Sequence, residues 1–201
     1  MTKDRLPLIL ASASLRRAEI LEAHGIEHVV IPSEVDETLP PDSRFTPEQT
    51  TIYLAELKAK AVLDMLDPDD WPLGCCILGV DTIVYKDEII GKPVDEADAL
   101  RILRTLRNTT HEVISGVCLI SAKPLGGKLE AMDKKLFSDT TVVSFSDYSD
   151  DEILAYIRAN PPYDKSGSYA IQSEWGKHAL KIDGDIENVI GLPYKKLSGY
   201  L

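Results

Sequence analysis

Small hydroxyl residues and two adjacent arginines stand together near the start of the chain, in the sequence Ser12-Ala13-Ser14-Leu15-Arg16-Arg17. The apolar residues 8–11 before them predict a buried strand, and the residues after them predict a helix capped by Ser14. A strand-to-helix turn directs unpaired backbone N–H groups and the positive end of the helix dipole toward one point, and arginine adds a planar fork suited to phosphate oxygens. The segment therefore predicts an anion site; the alternative is an ordinary helix cap followed by two solvated arginines.

Acidic residues form a second group of candidates. Glu34, Asp36 and Glu37 lie in a predicted loop, and Asp81 interrupts an apolar strand. A carboxylate inside such a strand is costly unless it is paired or functional, and Mg²⁺ in proteins prefers a few carboxylates together with substrate phosphates. We predict a divalent-cation site here. The alternatives are a buried Asp81 satisfied by backbone donors and loop carboxylates that are only solvated.

Three lysines, Lys58, Lys92 and Lys165, could add positive charge. Lys92 stands between Gly91 and Pro93, a setting that predicts a side chain aimed inward. One lysine means little, because most lysines are surface residues. Two or three lysines that converge with the arginines would build a triphosphate cradle.

Several other kinds of site are disfavoured. The sequence contains no GxxxxGK[ST] or GxGxxG loop for phosphates and no GxSxG elbow for a nucleophilic serine. Its four histidines are scattered, and its three cysteines show no metal-ligand spacing, which predicts reduced, buried thiols. Tyr163, Tyr169 and Trp175 could stack on a base, although packing is the commoner use of such residues.

The predicted secondary structure around these residues alternates between strand and helix. Thr46 and Gln49 predict a capping box at the start of a helix that runs to about Leu66, and Ser149 with Glu152 predicts another. The first helix is expected to end near Gly25 and to bury four apolar residues, Leu15, Ala18, Ile20 and Leu21. Further predicted elements are a strand over 28–31, a hairpin over 75–93, a helix capped by Asp95, an antiparallel pair over 111–120 and 136–146, a strand near 178–182 and a short C-terminal helix. This order predicts an α/β fold with a mixed sheet.

Composition restricts the class of protein and its partners. With 201 residues, 44% of them hydrophobic, the chain is expected to form a single domain over residues 1–201. A formal net charge of -11 argues against binding to nucleic acid or to an anionic membrane, so an anionic ligand needs a local cationic pocket. No apolar run reaches the roughly 20 residues that span a bilayer, and residues 1–12 lack the apolar region of a signal peptide. We therefore expect a cytoplasmic protein.

Eight short segments, in order along nearly the whole chain, match the pattern of one family. They are LASASLRRAEIL, the VDE of residues 35–37, LAELKAKAV, GVDTIV, GKP, HEVISGV, DKSGSYAIQ and NVIGLP. With them the chain resembles the Maf family of nucleoside triphosphate pyrophosphatases. The resemblance implies a Maf-like fold related to the inosine-triphosphate pyrophosphatases, in which helices flank a twisted mixed sheet and two lobes surround a deep cleft. It also implies hydrolysis of a nucleoside triphosphate to the monophosphate and pyrophosphate, with Mg²⁺ or Mn²⁺ as cofactor.

The same resemblance implies roles for particular residues. Asp81 falls at the position of the family's proposed proton acceptor and Glu37 at that of its acidic partner, so both are expected to hold the metal. The expected catalytic residues are Asp81, Glu37 and Lys92. The expected substrate-binding residues are Ser12, Ser14, Arg16, Arg17, Lys58, Thr82, Lys165 and Gln172.

Three positions indicate the substrate. In the branch of the family that acts on dTTP and UTP, Arg follows the serine turn, Thr follows the catalytic Asp and Gln occurs in a later segment. This chain has Arg16, Thr82 and Gln172 there, which favours pyrimidine nucleotides over 7-methyl-GTP. Three departures from the family pattern remove no charge that the chemistry needs: Leu15, Ser166 and Ala170.

Two other functions stay open from the sequence. One is a nucleotide-binding regulator of cell division whose hydrolysis is incidental, and the other is an enzyme that removes modified purine nucleotides such as ITP. The retained Asp81 and Lys92 argue against the first, and Arg16, Thr82 and Gln172 argue against the second. A homodimer is expected from the resemblance alone.

Overall fold

The structure is a computed structural model that describes residues 6–201. Residues 1–5 lie outside the described residues, and they are part of the segment 1–12 for which the sequence predicts no signal peptide. Its strands are β1 (Leu8–Leu10), β2 (His28–Val30), β3 (Cys75–Lys86), β4 (Glu88–Ile90), β5 (Thr110–Leu125), β6 (Lys128–Phe145) and β7 (Ala179–Asp183). Its α-helices are α1 (Leu15–Ala23), α2 (Pro47–Met65), α3 (Glu96–Leu106), α4 (Asp150–Ala159), α5 (Ile186–Ile190) and α6 (Tyr194–Leu197). Over this part of the chain, no helix is long and apolar enough to cross a membrane.

The seven strands form one mixed sheet, which confirms the predicted α/β class. Along the sheet the order is β2-β1-β3-β5-β6-β7, and β4 pairs with β3. β1 runs parallel to both β2 and β3, whereas β4 is antiparallel to β3 and β7 is antiparallel to β6. Because Leu10 at the end of β1 pairs with Leu78 of β3, the turn that follows β1 lies beside the middle of β3, where Asp81 stands.

The chain divides into two compact units. Unit 1 comprises Met1–Asp81, of which residues 6–81 are described, together with Ser115–Ser138. Unit 2 comprises Thr82–Ile114 and Asp139–Leu201. Strands β3, β5 and β6 each contribute residues to both units. The predicted single domain over residues 1–201 and the predicted cleft stay predictions.

Helix boundaries follow the capping signals of the sequence. Thr46 with Gln49 and Ser149 with Glu152 form complete capping boxes at the starts of α2 and α4. Asp95 caps α3 through its carboxylate. Each of these helices therefore begins where a side-chain oxygen satisfies a backbone N–H that would otherwise have no partner.

The packing of α1 differs from the prediction at one residue. Ala18, Ile20 and Leu21 are buried as expected, but Leu15 is 77% exposed and Arg17 is buried instead. Residues two apart on a helix point about 200° away from each other, so the inward orientation of Arg17 turns Leu15 toward solvent. The prediction that Leu15 belongs to the core was wrong.

Each unit has a hydrophobic core of a different character. The core of unit 1 consists of small and aliphatic side chains from β1, β3, β5, β6 and α2. The core of unit 2 is rich in aromatic rings that contact one another, namely Phe145, Tyr148, Tyr156, Tyr169 and Trp175. Tyr169 and Trp175 are therefore packing residues, the alternative that the sequence left open.

Candidate active site

The turn between β1 and α1 has the features of an anion site. Ser14 occupies the N-cap position of α1, but its side chain makes no capping hydrogen bond, and the first turn of α1 contains no acidic residue. By contrast, the first turns of α2, α3 and α4 each contain a carboxylate. The positive end of the α1 dipole therefore has no carboxylate from its own first turn, which favours binding of an external anion.

Ser12 organises this turn from inside. Its buried Oγ accepts a hydrogen bond from the backbone N–H of Ser14 at 3.2 Å and another from Nη1 of Arg17 at 2.8 Å. These two donors occupy both lone pairs of the hydroxyl oxygen, so the hydroxyl hydrogen is left to donate to an acceptor such as a phosphate oxygen. The sequence indicated both residues as binding residues but gave no sign that Ser12 holds Arg17.

Arg17 carries its charge into the interior of unit 1. Burial lowers the pKa of the guanidinium, the carboxylates of Asp81 and Glu37 act against this shift, and the charge of Arg16 adds to it. Arginine nevertheless stays protonated in proteins because its pKa lies far above neutrality. A full positive charge is therefore held at the turn, next to negative charge.

Asp81, Lys58 and Glu37 form the centre of the candidate site. Nζ of Lys58 donates to Oδ1 of Asp81 at 2.6 Å and lies 3.2 Å from Oε1 of Glu37. The side chains of Lys58 and Asp81 are each 10% exposed, whereas that of Glu37 is 48% exposed. One ammonium thus bridges a buried carboxylate and a carboxylate at the surface.

A glycine in β3, Gly79, allows α2 to come close enough for the contact of Lys58 with Asp81. A Cβ built at Gly79 would lie 2.1 Å from the carbonyl oxygen of Ala55 and 3.0 Å from the Cβ of Ala59, so only glycine fits. Gly79 and Asp81 are two residues apart on β3 and share a face of the strand, and Lys58 precedes Ala59 on α2. The close approach at Gly79 therefore places Lys58 within reach of Asp81.

Gly116 in β5 makes a second close approach to the same helix. Its Cβ would lie 2.2 Å from the carbonyl carbon of Thr51. Gly79 and Gly116 both stand in segments that match the family pattern, and neither was predicted to have a role. A glycine inside a β-rich run is a known sign of close backbone approach, so the signal was present in the sequence.

Of the loop carboxylates, only Glu37 contacts this centre. Asp36 is exposed and accepts hydrogen bonds from the backbone N–H and the hydroxyl of Thr38, which lower the pKa of its carboxyl. Glu34 is exposed. The alternative of a solvated or locally bonded loop charge therefore holds for Glu34 and Asp36.

The carboxylates of this centre fit a metal ion that is also bound by substrate phosphates. Glu37 and Asp81 are two carboxylates that already converge on one cation, the Lys58 ammonium. Within residues 6–201, no group of three or more His, Cys, Asp or Glu side chains could hold a metal ion. Mg²⁺ is usually bound through one or two carboxylates, with substrate phosphates and waters completing its shell. The site therefore fits a cation that shares its ligands with a triphosphate and does not fit a closed, protein-only metal centre.

Thr82 begins unit 2 and makes contacts within it. Its hydroxyl donates to the carbonyl oxygen of Gly191 at 3.3 Å, and its own carbonyl oxygen accepts from the hydroxyl of Ser166 at 3.3 Å. The backbone N–H of Gly167 donates to the carbonyl oxygen of Gly91 at 3.2 Å. These bonds join the segments that contain GKP, DKSGS and NVIGLP to the strand residue after Asp81, a role for Ser166 and Gly191 that sequence reasoning missed.

The remaining predicted site residues of unit 2 are less enclosed. Lys92 is exposed, and the inward orientation that the flanking Gly91 and Pro93 predict for its side chain stays a prediction. Lys165 is half-buried and donates to the carboxylate of its neighbour Asp164. Gln172 is exposed. Unit 1 thus brings together Ser12, Arg17, Lys58, Asp81 and Glu37, and Ser14 and the half-buried Arg16 lie at the same turn. The other predicted site residues, Thr82, Lys92, Lys165 and Gln172, belong to unit 2.

Two buried thiols and one buried imidazole are unsuited to nucleophilic or acid–base chemistry. All three cysteines are free, and burial raises the pKa of Cys75 to about 11 and that of Cys118 to about 12. Burial lowers the pKa of His111 to about 4, and its Nε2 lies 2.7 Å from the hydroxyl oxygen of Tyr169. Reactive thiolates need a lowered pKa. Asp81 and its partners are therefore the better candidates for the chemistry.

Comparison with known proteins identifies one family over almost the whole chain. The family described as "Maf-like protein" matches residues 7–201. A dTTP/UTP pyrophosphatase of Citrifermentans bemidjiense is 40% identical over 187 residues, which are 92% of this chain and 89% of the relative.

Two further relatives carry the same name. The dTTP/UTP pyrophosphatase of Exiguobacterium sibiricum is 38% identical over 193 residues, which are 96% of this chain and 89% of the relative. The dTTP/UTP pyrophosphatase of Bacillus thuringiensis subsp. konkukian is 40% identical over 192 residues, which are 94% of this chain and 91% of the relative. In each case the similarity extends over both compact units.

Proposed function

This chain belongs to the Maf family, and we propose that it is a nucleoside triphosphate pyrophosphatase that hydrolyses dTTP and UTP to the monophosphate and pyrophosphate. The observation that carries the proposal is the ionic cluster of unit 1, in which the buried Lys58 contacts the buried Asp81 and the more exposed Glu37 beside Arg17. Buried charges are costly unless they are paired or functional. A cluster of two cations and two carboxylates next to an open helix N-terminus suits a triphosphate and its counter-ion.

Asp81 is the group that we assign to accept the proton of the attacking water. Only its Oδ1 bonds to Lys58; the other carboxylate oxygen makes no hydrogen bond to a residue between 6 and 201. A positioned carboxylate with one free oxygen acts as a general base when the water lies within hydrogen-bond distance. The water oxygen attacks the α-phosphorus, the bond from that phosphorus to the bridging oxygen breaks, and the oxygen leaves with pyrophosphate.

The cations of the site stabilise the leaving pyrophosphate and orient the substrate. Arg17 and the Ser12 hydroxyl present donors at the α1 N-terminus, and Ser14 adds the N-cap of that helix. Lys92 and Lys165 are proposed to bind phosphate oxygens as well. A divalent cation, Mg²⁺ or Mn²⁺, supplies further neutralisation of phosphate charge when it is bound, and Glu37 and Asp81 are the residues that would hold it.

The preference for pyrimidine nucleotides rests on three residues of the family pattern, Arg16, Thr82 and Gln172. Gln172 is exposed and Arg16 is half-buried at the α1 N-terminus, so both have surface available for a ligand. The Thr82 hydroxyl is engaged with Gly191, so we assign this residue to shaping the site rather than to direct contact with the base.

A nucleotide panel tests the function directly. Pyrophosphate release is measured with dTTP, UTP, ITP, 7-methyl-GTP and ATP in the presence of Mg²⁺ or Mn²⁺. The proposal predicts the highest kcat/KM for dTTP and UTP. A preference for ITP or 7-methyl-GTP would overturn the specificity, and tight nucleotide binding without turnover would favour the regulatory function instead.

Two further expectations accompany this proposal. A homodimer is expected from the resemblance to the family, and light scattering of the purified protein measures it. A cytoplasmic location is expected from the sequence, and fractionation of cells measures it.

A further inference from the structure

We propose that Lys58 is a tethered cation that occupies the divalent-metal site in the nucleotide-free protein, so that Lys58 and the metal ion exclude each other there. The inference rests on the proposed function in one respect, namely that the cation bound at this site is a divalent metal ion. Its basis is the position of the ammonium: Nζ of Lys58 lies 2.6 Å from Oδ1 of Asp81 and 3.2 Å from Oε1 of Glu37. These are the two carboxylates that would hold the metal.

The position of Lys58 is imposed by the fold rather than chosen by a flexible surface chain. Lys58 lies in the middle of α2, is 8% exposed, and is held near Asp81 by the close contact of Gly79 with the backbone of Ala55. An ammonium that contacts both carboxylates occupies the position from which a metal ion would contact the same two oxygens. A metal ion bound to those two oxygens therefore requires the lysine side chain to move.

The charge balance of the cluster points the same way. Lys58 and Arg17 carry two positive charges and Asp81 and Glu37 carry two negative charges, so the cluster of these four side chains is neutral without a metal. The charge of Arg16 also acts on Arg17. A divalent ion added to this cluster alone would find both carboxylates already neutralised by cations, and at close range the Lys58 ammonium would repel it.

A triphosphate removes that repulsion. It brings several negative charges and oxygen ligands of its own, so the metal can bind Asp81 and Glu37 while the released Lys58 ammonium pairs with phosphate oxygens. Each carboxylate and each cation of the cluster then still has a neighbour of opposite charge. Lys58 therefore makes metal binding depend on nucleotide, and metal bound without nucleotide is disfavoured.

The test measures Mn²⁺ binding to the full-length, nucleotide-free protein by titration calorimetry and by the electron paramagnetic resonance signal of free Mn²⁺. Lys58→Met and Lys58→Gln remove the charge, and we expect both to bind Mn²⁺ at least roughly tenfold more tightly than the unmodified protein, as a unit charge at this distance implies. Lys58→Arg keeps the charge and should bind as weakly as the unmodified protein. Lys60→Met is the matched control, since Lys60 lies on the same helix but pairs with Glu56 at 2.6 Å on the surface.

The glutamine variant keeps the test decisive if the methionine variant fails to fold, because an amide can donate hydrogen bonds to both carboxylates. Thermal unfolding supplies a second readout: Mn²⁺ should raise the unfolding temperature of Lys58→Gln more than that of the unmodified protein, since a ligand stabilises the state that binds it. Adding Asp81→Asn to Lys58→Gln should abolish the gain.

Equal Mn²⁺ affinity in Lys58→Gln and Lys60→Met would overturn the inference, as would tight binding of Mn²⁺ to the unmodified protein without nucleotide. Neither result depends on turnover. If the nucleotide panel shows no pyrophosphate release while Lys58→Gln still gains Mn²⁺ affinity, then the proposed function fails and the inference about Lys58 stands.

Discussion

The two compact units bury polar groups in opposite ways. Unit 1 encloses the formal charges of Lys58 and Asp81, which pair with each other, and Lys58 also contacts the more exposed Glu37. Unit 2 encloses polar groups that stay neutral, of which His111, hydrogen-bonded to Tyr169 among aromatic rings, is the main example. A charged side chain inside a protein can still interact electrostatically with a ligand, whereas a neutral imidazole in an aromatic core contributes packing and one hydrogen bond. Unit 1 is therefore the place for chemistry on a charged substrate, and the aromatic core of unit 2 is a source of stability.

Asp81 and Asp150 are both paired with basic side chains, but they differ in burial. Asp150, at the start of α4, accepts hydrogen bonds from Arg104 and Arg107, which hold the pKa of its carboxyl well below the usual range. Its side chain is 43% exposed, against 10% for Asp81. The number of partners is therefore a poor sign of function, and burial next to an open helix N-terminus is a better one.

The largest expected effect comes from Asp81→Asn. It removes the base and one partner of Lys58, so kcat for pyrophosphate release should fall by about 10³-fold, the range typical of a lost general base. Asp150→Asn is the matched control, and it should retain the activity of the unmodified protein. Circular dichroism of both variants checks the fold. Turnover of Asp81→Asn close to that of the control would remove Asp81 from the mechanism.

The neutral interior of unit 2 predicts a pH dependence of stability. The pKa of His111 is lowered to about 4, so between that value and its ordinary 6.5 the unfolded chain binds more protons than the folded one. The free energy of unfolding should therefore fall as the pH drops from 6.5 to about 4, by up to about 3 kcal/mol from this residue. Urea unfolding at several pH values measures it.

His111→Gln isolates that contribution, because it leaves the other titrating groups in place. His178, whose pKa burial also lowers, contributes equally to both proteins. The difference in stability between the unmodified protein and His111→Gln should shrink toward acidic pH. A difference that is independent of pH would show that the pKa of His111 is the same in the folded and the unfolded chain.

The close approach at Gly79 supports the charged cluster of unit 1, and Gly79→Ala should disturb it. The added methyl group would overlap the carbonyl oxygen of Ala55, so we expect a loss of about 2 kcal/mol in the free energy of unfolding, as for other overpacked positions. Gly199→Ala is the control, since its Cβ would lie 3.6 Å from the nearest atom, the carbonyl oxygen of Lys196. Urea unfolding compares the two, and equal stability of both variants would contradict the role of Gly79.

Ser12→Ala should have the smallest of these effects. Loss of the hydroxyl leaves Nη1 of Arg17 without this acceptor and removes one donor to the substrate, so kcat/KM should fall about tenfold, the equivalent of one hydrogen bond. Steady-state kinetics measure it, and a rise in KM with little change in kcat is the pattern expected of a binding residue. Ser198→Ala, which removes an exposed hydroxyl bonded to Lys195, serves as its control.

Much of the fold follows from local signals in the sequence. The capping boxes at Thr46 and Ser149 and the cap at Asp95 set the starts of three helices, because an N-cap depends on residues within one turn of each other. The turn after Lys86 is similarly local, with Asp87 at φ 61 between β3 and β4. The predicted family rests on motifs in order along the chain, and the match over residues 7–201 confirms it.

The order of residues along the chain was enough to predict the family, the class of fold and the residue types of the site: serines and arginines at one turn, and an aspartate in an apolar strand. It did not predict that Arg17 rather than Leu15 is buried, that Lys92 is exposed, or that Lys58 bridges Asp81 and Glu37. The two groups of features differ in the range of the interactions behind them. A cap needs neighbours in the chain, whereas the contact of Lys58 with Asp81 joins residues 23 positions apart and exists because a helix and a strand meet where Gly79 has no side chain.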